Sequence, residues 1–413
     1  MSAEPRLDFD TRCCVVGGGP AGVMLSLLLA RTGVDVTLLE SHHDFDRDFR
    51  GDTIHASTLE VLDQIGLAAP LHELPHVKAP AFRFTSPTRV QTLAVFARLP
   101  TRFNYVMIMP QSRFLEFLAG EAKKHPGFRL LMGAHAHQIL TKGDVVEGVV
   151  YRSPEGEGQI RAPLTVATDG RFSQLRKLSG LTPVSQSGIM EVLWLRLPRK
   201  ASDPGEEAGL SLGPGHIAAV LGRPQEWQIG YVMGEGGFQR LKTAGIETLQ
   251  KSIAVSVPWL ADRVSLISDW RGLNVLSVEA NRLPRWHRPG LLLIGDAAHV
   301  MLPVGGVGIN CAIADAVEAA NVLTGPLRDG QVSETHLAEV QRRREKVTRL
   351  IQAFQAIMQR RIVGALESGR QFQPPLPLRV ILHIPVLRVL PARLIGFGVR
   401  RVRLAEAGAV SAR

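Results

Sequence analysis

Three glycines set out the first chemistry. Gly17, Gly19 and Gly22 fit the spacing G-x-G-x-x-G. In that pattern the first glycine permits a tight turn, the second lets main chain approach a pyrophosphate, and the third lets a helix pack closely on a strand. A helix opened by Pro20 and Ala21 would present unpaired N–H groups and a positive dipole end to phosphate oxygens. Glu40 follows Gly22 by eighteen residues, where an acid accepts bonds from a ribose 2′-hydroxyl and repels a 2′-phosphate. Two later segments carry more of the same chemistry. Residues 165–176 place Asp169-Gly170 after an apolar run, and residues 290–299 place Gly295-Asp296 after another. The second continues into Pro303, Gly305, Gly306, Gly308, Ile309 and Asn310, a glycine-rich turn ahead of an apolar stretch.

These residues need particular elements behind them. Cys13–Val16 is short and wholly apolar, the signature of a parallel strand buried on both faces. Val23 to Ala30 reads as a helix stopped by Gly33, and residues 34–40 read as a second strand, completing a βαβ unit. Residues 164–168 and 291–294 repeat the buried-strand signal. Alternating segments such as Met190–Leu197 and Trp227–Met233 point instead to a second, sheet-rich unit. Residues 334–368 read as helical, and the remainder is basic, apolar and broken by prolines.

Composition narrows the field. The 413 residues include 45% apolar and 21% charged side chains, an ordinary globular balance long enough for two or three domains. The net charge of +10 is uneven: residues 341–413 carry fifteen Lys/Arg against three Asp/Glu, leaving residues 1–340 slightly acidic. With no basic motif interleaved with aromatics, no nucleic-acid partner is expected. Three cysteines build neither a disulfide framework nor a four-ligand zinc site, and the histidines lack metal spacing, so no metal is expected. The acidic, non-apolar start predicts no secretory signal and a cytoplasmic protein. Cys13 and Cys14 read as small core residues, and Cys311 as packing.

Glycine fingerprint, D-G motif and G-D motif in this order resemble the flavoprotein monooxygenases of the para-hydroxybenzoate hydroxylase type, also called class A, over about residues 11–350. The resemblance implies an α/β fold with a Rossmann-like FAD-binding domain at 1–70, 111–180 and 286–330. A β-rich substrate domain is inserted at 71–110 and 181–285, and 331–413 forms a C-terminal helix and tail. It implies FAD as cofactor, with NADH or NADPH as electron donor. It also implies dioxygen and a small aromatic molecule as substrates, the ring being hydroxylated through a flavin C4a-hydroperoxide. By the same resemblance Asp296 accepts bonds from the ribityl chain, and Asp169 and Gly170 lie near the pyrophosphate. Gly306, Gly308, Ile309 and Asn310 face the flavin pyrimidine, where a helix N-terminus stabilises negative charge on the reduced ring. Arg50 and Arg113 occupy positions of cofactor-contacting side chains. The Pro303 carbonyl sits beside the reacting centre, where it accepts a bond from a substrate hydroxyl. His299 orders its loop. Val307 stands where the family commonly has Gln, which removes a polar contact.

Some alternatives stay open. Trp194, Trp227, Tyr231 and Met233 form either an apolar aromatic substrate pocket or the core behind the sheet. The pocket version favours a sizeable polycyclic or alkylated phenol or quinone over a charged benzoate. The tail at 379–403 either caps the fold, the simpler outcome, or makes peripheral contact with an anionic membrane; its charges and prolines exclude a spanning helix. A halogenase is set aside because residues 192–198 lack W-x-W-x-I-P. A reductase of the same fold and a flavin-binding redox partner without turnover are the remaining rivals.

Overall fold

The computed structural model describes residues 7–46, 51–86, 89–186, 190–205, 208–213, 216–368 and 389–405, with a few single positions between 369 and 388. A six-stranded sheet carries the βαβ unit. Its order is His287–Arg288, Leu291–Leu293, Leu164–Ala167, Cys13–Val16, Val36–Glu40 and Phe128–Met132, parallel except for the first strand. Every residue of Cys13–Val16 and Leu164–Ala167 is buried, as strands covered on both faces require. The cover includes helix α1 (Pro20–Arg31), which is apolar nearly all round. Gly33, at φ +81°, follows its last turn, where a residue with a Cβ is strained.

Register decides where the motifs meet. Val16 pairs with Ala167 and with Leu39, and Ala167 pairs with Leu293, so the three central strands end at one level. Main-chain bonds carry this alignment one residue further: Gly17 N–H donates to Leu39 O (2.8 Å), Thr168 N–H to Val16 O (2.8 Å) and Ile294 N–H to Ala167 O (3.1 Å). The glycine fingerprint, Asp169-Gly170 and Gly295-Asp296 thus converge at the carboxyl ends of neighbouring parallel strands, the usual place for a ligand in such sheets.

After α2 (Ala56–Gln64), α3 (Ala68–Glu73), α4 (Gln111–Ala122) and α5 (Gln174–Leu178), a second sheet dominates. Its seven strands run in the order Asn274–Val278, Met190–Pro198, Glu226–Gly234, His216–Gly222, Ala208–Gly213, Ala81–Ser86 and Arg89–Val95. Alternation along the strands sorts their side chains. Leu193, Leu195, Trp227, Ile229, Tyr231 and Met233 pack into one cluster with Leu241 of α6 (Gly237–Ala244) and with Leu249 and Ile253 of α7 (Ile246–Ser256). Met190, Val192, Trp194 and Ile217 face the other way, toward Met358 and Ile362.

Two long helices join the sheets. Helix α8 (Gly308–Asp329) lies against α1, and α9 (Glu334–Ser368) touches α8, the edge strand His287–Arg288 and the strand Glu226–Gly234. The stretch Val304–Asp329 is long and apolar enough to cross a membrane, but 72% of its apolar window is buried inside the fold, as in a core helix. Within the basic tail, α10 (Val389–Phe397) and the residues after it dock on the body: Ile395 O is 2.8 Å from His55 Nδ1, Leu404 N–H donates to Gln64 Oε1 (3.0 Å), and Asn321 Nδ2 donates to Arg403 O (2.8 Å). Arg379 and Arg388 lie outside the described residues.

Candidate cofactor and substrate cavity

A continuous cavity of about 910 Å³ connects the strand ends of the first sheet to the open face of the second. Gly17, Gly19, Pro20, Ala21, Glu40, Asp169, Gly170, Asp296, Pro303, Gly306, Gly308, Ile309 and Asn310 all line it. Gly22 and Gly295 stand just behind that lining. Arg113 does not reach it, and its guanidinium donates instead to Pro75 O (3.3 Å) from an exposed position. Arg50 falls outside the described residues.

The glycines differ in what a side chain would meet. At Gly17, φ +107°, an added Cβ would lie 2.5 Å from Thr168 O; at Gly22 it would lie 2.0 Å from Gly17 O. Both are closed by the protein's own backbone. At Gly19 the nearest atom is 3.9 Å away, and at Gly308 and Gly170 nothing lies within 4 Å. Gly19 and Gly308 stand at the N-termini of α1 and α8, and neither helix has a side-chain cap. Two helix N-termini therefore open onto the cavity with glycine at the approach and no side chain satisfying their first N–H groups. This arrangement fits a dinucleotide flavin, with pyrophosphate at one N-terminus and, at the other, the ring edge that gathers negative charge on reduction.

The polar residues near these termini have structural bonds of their own. Glu40 Oε2 accepts from Gly18 N–H (2.7 Å) and Oε1 from His42 N–H (2.9 Å), which fixes the carboxylate at the cavity edge. Asp169 accepts from Ser173 Oγ and, at 3.0 Å, from Leu175 N–H, so it braces the start of α5, whose N-cap is Ser173, while bordering the cavity. Burial pushes its carboxyl above the usual aspartate range, opposed by those bonds. The Asn310 carboxamide accepts from His55 N–H (2.9 Å) and Thr58 Oγ1 (2.8 Å) and donates to Thr53 O (3.2 Å). It ties the start of α8 to α2, leaving its main chain for any ligand. The Pro303 carbonyl accepts from Gly306 N–H (3.1 Å), one of the two bonds a carbonyl oxygen can take.

Several residues here escape sequence reading. Asp315 is fully buried and accepts from Gly295 N–H (3.0 Å) and Arg344 Nε (2.7 Å), with His299 Nε2 at 2.6 Å from the same carboxylate. Burial alone would raise its pKa, but the charges of His299 and Arg344 outweigh that and hold it at about 2. Asp315 thereby anchors the Gly295-Asp296 loop to α8 and α9, and His299 orders that loop rather than facing the cavity. Its position inside an apolar helical stretch was the available signal. Arg223 Nε donates to Asp52 Oδ2 (2.7 Å), both buried, linking the second sheet to the cofactor side. No sequence motif marks that pair, because it joins residues 171 positions apart.

Across the cavity, the open face of the large sheet supplies Phe82, Phe84, Met190, Val192, Trp194 and Val232 among others. Trp227, Tyr231 and Met233 are absent from it. Each alternates with a front-facing neighbour and packs behind the sheet against α7, so of the four expected pocket residues only Trp194 lines the cavity. Trp194 sits opposite Gly230 in the strand pair, and a Cβ there would come within 2.9 Å of its ring.

Comparison with known proteins agrees with this geometry. A family model described as FAD binding domain matches residues 10–354. The 6-methylpretetramide 4-monooxygenase of Streptomyces rimosus is 34% identical over 376 residues, covering 90% of this chain and 88% of that protein. Among solved structures, PqsL of Pseudomonas aeruginosa, described as a probable FAD-dependent monooxygenase, superposes with a TM-score of 0.73 at 18% identity, covering 87% of this chain and 97% of its own. The p-nitrophenol 4-monooxygenase PnpA of Pseudomonas putida DLL-E4 gives 0.71 at 21% identity, with 94% of each chain covered. At these identities the two structures speak for the fold alone.

Proposed function

The chain belongs to the FAD binding domain family and is an FAD-dependent monooxygenase, and from that premise we propose that it hydroxylates an uncharged polycyclic or alkylated phenol or quinone held between the flavin and the large sheet. One observation carries the substrate class: every described residue of the large sheet that lines the cavity is apolar. The charged lining residues, Glu40, Asp52, Asp169, Arg171, Asp296, Arg344 and Arg400, come from the cofactor half, α9 and the tail. A benzoate carboxylate against the sheet would be buried without a cation, at a cost of several kcal/mol. The relative named for 6-methylpretetramide supports the same reading.

What FAD supplies when bound is hydride acceptance from NADH or NADPH and activation of dioxygen, one atom of which enters the ring while the other leaves as water. The chain's part is to hold and shield. Gly17, Gly19, Pro20, Ala21 and Gly22 are assigned to the pyrophosphate, Glu40 to the adenosine ribose, Asp169 and Gly170 to the pyrophosphate flank, and Gly295 and Asp296 to the ribityl chain. Gly306, Gly308, Ile309 and Asn310 offer main-chain groups to the flavin pyrimidine. Arg50 keeps its cofactor role on the resemblance alone, and Arg113 would have to leave the Pro75 carbonyl to take part. The second lone pair of the Pro303 carbonyl accepts a hydrogen bond donated by a substrate hydroxyl. The apolar sheet and the docked α10 exclude water, and the tail acts as a cap.

The test is a panel of polycyclic phenols, quinones and hydroxybenzoates, scored by NAD(P)H consumption together with oxygen uptake. Uncharged polycyclic compounds should exceed benzoates in kcat/KM by about a hundredfold or more, the effect of an unpaired buried charge. A preference for benzoates would overturn the substrate class, and NAD(P)H consumption without oxygen uptake would favour a reductase.

A further inference from the structure

Helix α9 turns a polar stripe inward. Gln341, Arg344, Thr348, Gln352, Gln355 and Gln359 recur at helical spacing and none is more than 9% exposed. Buried amides are unfavourable unless bonded, and three of these glutamines bond the main chain of residues 281–304. Gln341 Nε2 donates to Pro284 O (2.8 Å) and its Oε1 accepts from Trp286 N–H (2.9 Å). Gln352 Nε2 donates to Asn281 O (2.9 Å) and Val300 O (3.0 Å). Gln355 does most: its Oε1 accepts from Leu302 N–H (3.2 Å), and its Nε2 donates to Leu302 O (2.8 Å) and Val304 O (2.9 Å).

Those three bonds flank Pro303. The short strand His299–Val300 has ended, the turn Val304–Gly306 has not begun, and Pro303 itself has no N–H to contribute. The Gly306 N–H closes the turn onto Pro303 O, but Leu302 lies in neither strand nor turn, and the Gln355 carboxamide holds it together with the Val304 carbonyl. The demand is specific. Glutamate lacks both donors and adds a charge, and methionine matches the length while offering no bond.

We propose that Gln355 is a positioning residue for the monooxygenase reaction, acting through Leu302 and Val304 to fix Pro303 and the Gly305–Gly308 turn against the flavin. This rests on the reading that the turn faces the flavin. It deepens that reading by assigning the geometry of the reacting face to a side chain of α9.

The experiment compares Gln355→Met, Gln355→Glu and Gln355→Asn with the unaltered protein and with Ile357→Leu, an exposed control on the same helix outside the cavity. Hydrogen exchange of residues 301–308 is read in the protein without FAD. The visible spectrum and midpoint potential of bound flavin are read after loading. Gln355→Met should raise exchange in 301–308 about tenfold, the effect of losing buried hydrogen bonds, leave α1 unchanged, and move the flavin potential to more negative values with a perturbed spectrum. Gln355→Asn keeps the carboxamide and guards against a variant that does not fold. Exchange like that of the unaltered protein overturns the proposal. So does faster exchange with spectrum and potential unchanged, since Gln355 is then only a structural brace. Failure of the unaltered protein to take up FAD overturns the functional reading instead, and the exchange result still stands by itself.

Discussion

A single glycine shows how the site separates protein needs from ligand needs. A Cβ on Gly22 meets the carbonyl of Gly17 at 2.0 Å, whereas one on Gly19 meets nothing closer than 3.9 Å, at an ordinary φ of −75°. With Gly17 closed by Thr168 O as well, the same fingerprint contains two glycines required by folding and one left open for a ligand. Gly22→Ala should destabilise the FAD-free chain by ~2 kcal/mol or more through main-chain displacement. Gly19→Ala should leave its unfolding midpoint almost unchanged and weaken FAD by about tenfold through the lost close approach. Calorimetry of the FAD-free proteins and fluorescence titration with FAD check the pair; equal effects of both substitutions on stability would remove the distinction. The fingerprint was legible in the sequence because its three glycines stand at fixed spacing between a strand and a helix. The carboxylate of Asp315 was not, because its partners Gly295, His299 and Arg344 are brought together only by α8 packing beside α9.

Elements carry the next level of control, and α10 is the one that sequence left undecided between capping and membrane contact. Its described residues pack on the strand Arg89–Val95 and on α2, and the residues after it reach α8 through Arg403 O, with His55 as the junction. The His55 N–H donates to Asn310 at the start of α8, and its buried ring meets Ile395 O. Burial lowers the His55 pKa from 6.5 to about 4, the bond to Ile395 opposing it. Because the folded value is depressed, the stabilisation is fully present above pH 6.5 and is lost as pH falls from there toward 4. Acidification from pH 7 to about 5 should therefore lower the hydrogen-exchange protection of 389–405, corrected for the intrinsic rate at each pH, before that of the central sheet. His55→Gln, which keeps a donor but does not titrate, should abolish that pH dependence. Equal response of segment and sheet would place the acid-sensitive group elsewhere. Why the second sheet turned three of its four marked residues away from the cavity is also an element-scale matter. Alternation fixes that Trp227, Tyr231 and Met233 share a face, but only the position of α7 decides that theirs is the rear one.

At the scale of the molecule, a nucleotide-binding sheet and a large apolar sheet share one cavity, and α9 spans both. The first half of that design was plain from residue order, since each of its three motifs follows a buried strand and parallel strands end where ligands bind. The second half was legible only as a sheet-rich stretch, because the apolar character of a pocket wall is indistinguishable in sequence from that of a core. The joining features, Asp52 with Arg223 and the inward glutamines of α9, depend on tertiary contact and leave no local pattern. The account stands on oxygen transfer occurring in that shared cavity. Turnover of an uncharged polycyclic phenol under oxygen-18 gas, with mass spectrometry of the product, tests it most directly. One labelled oxygen atom per product molecule is expected, with NAD(P)H consumed in equal amount; a product that is reduced, or hydroxylated with oxygen from water, would contradict it.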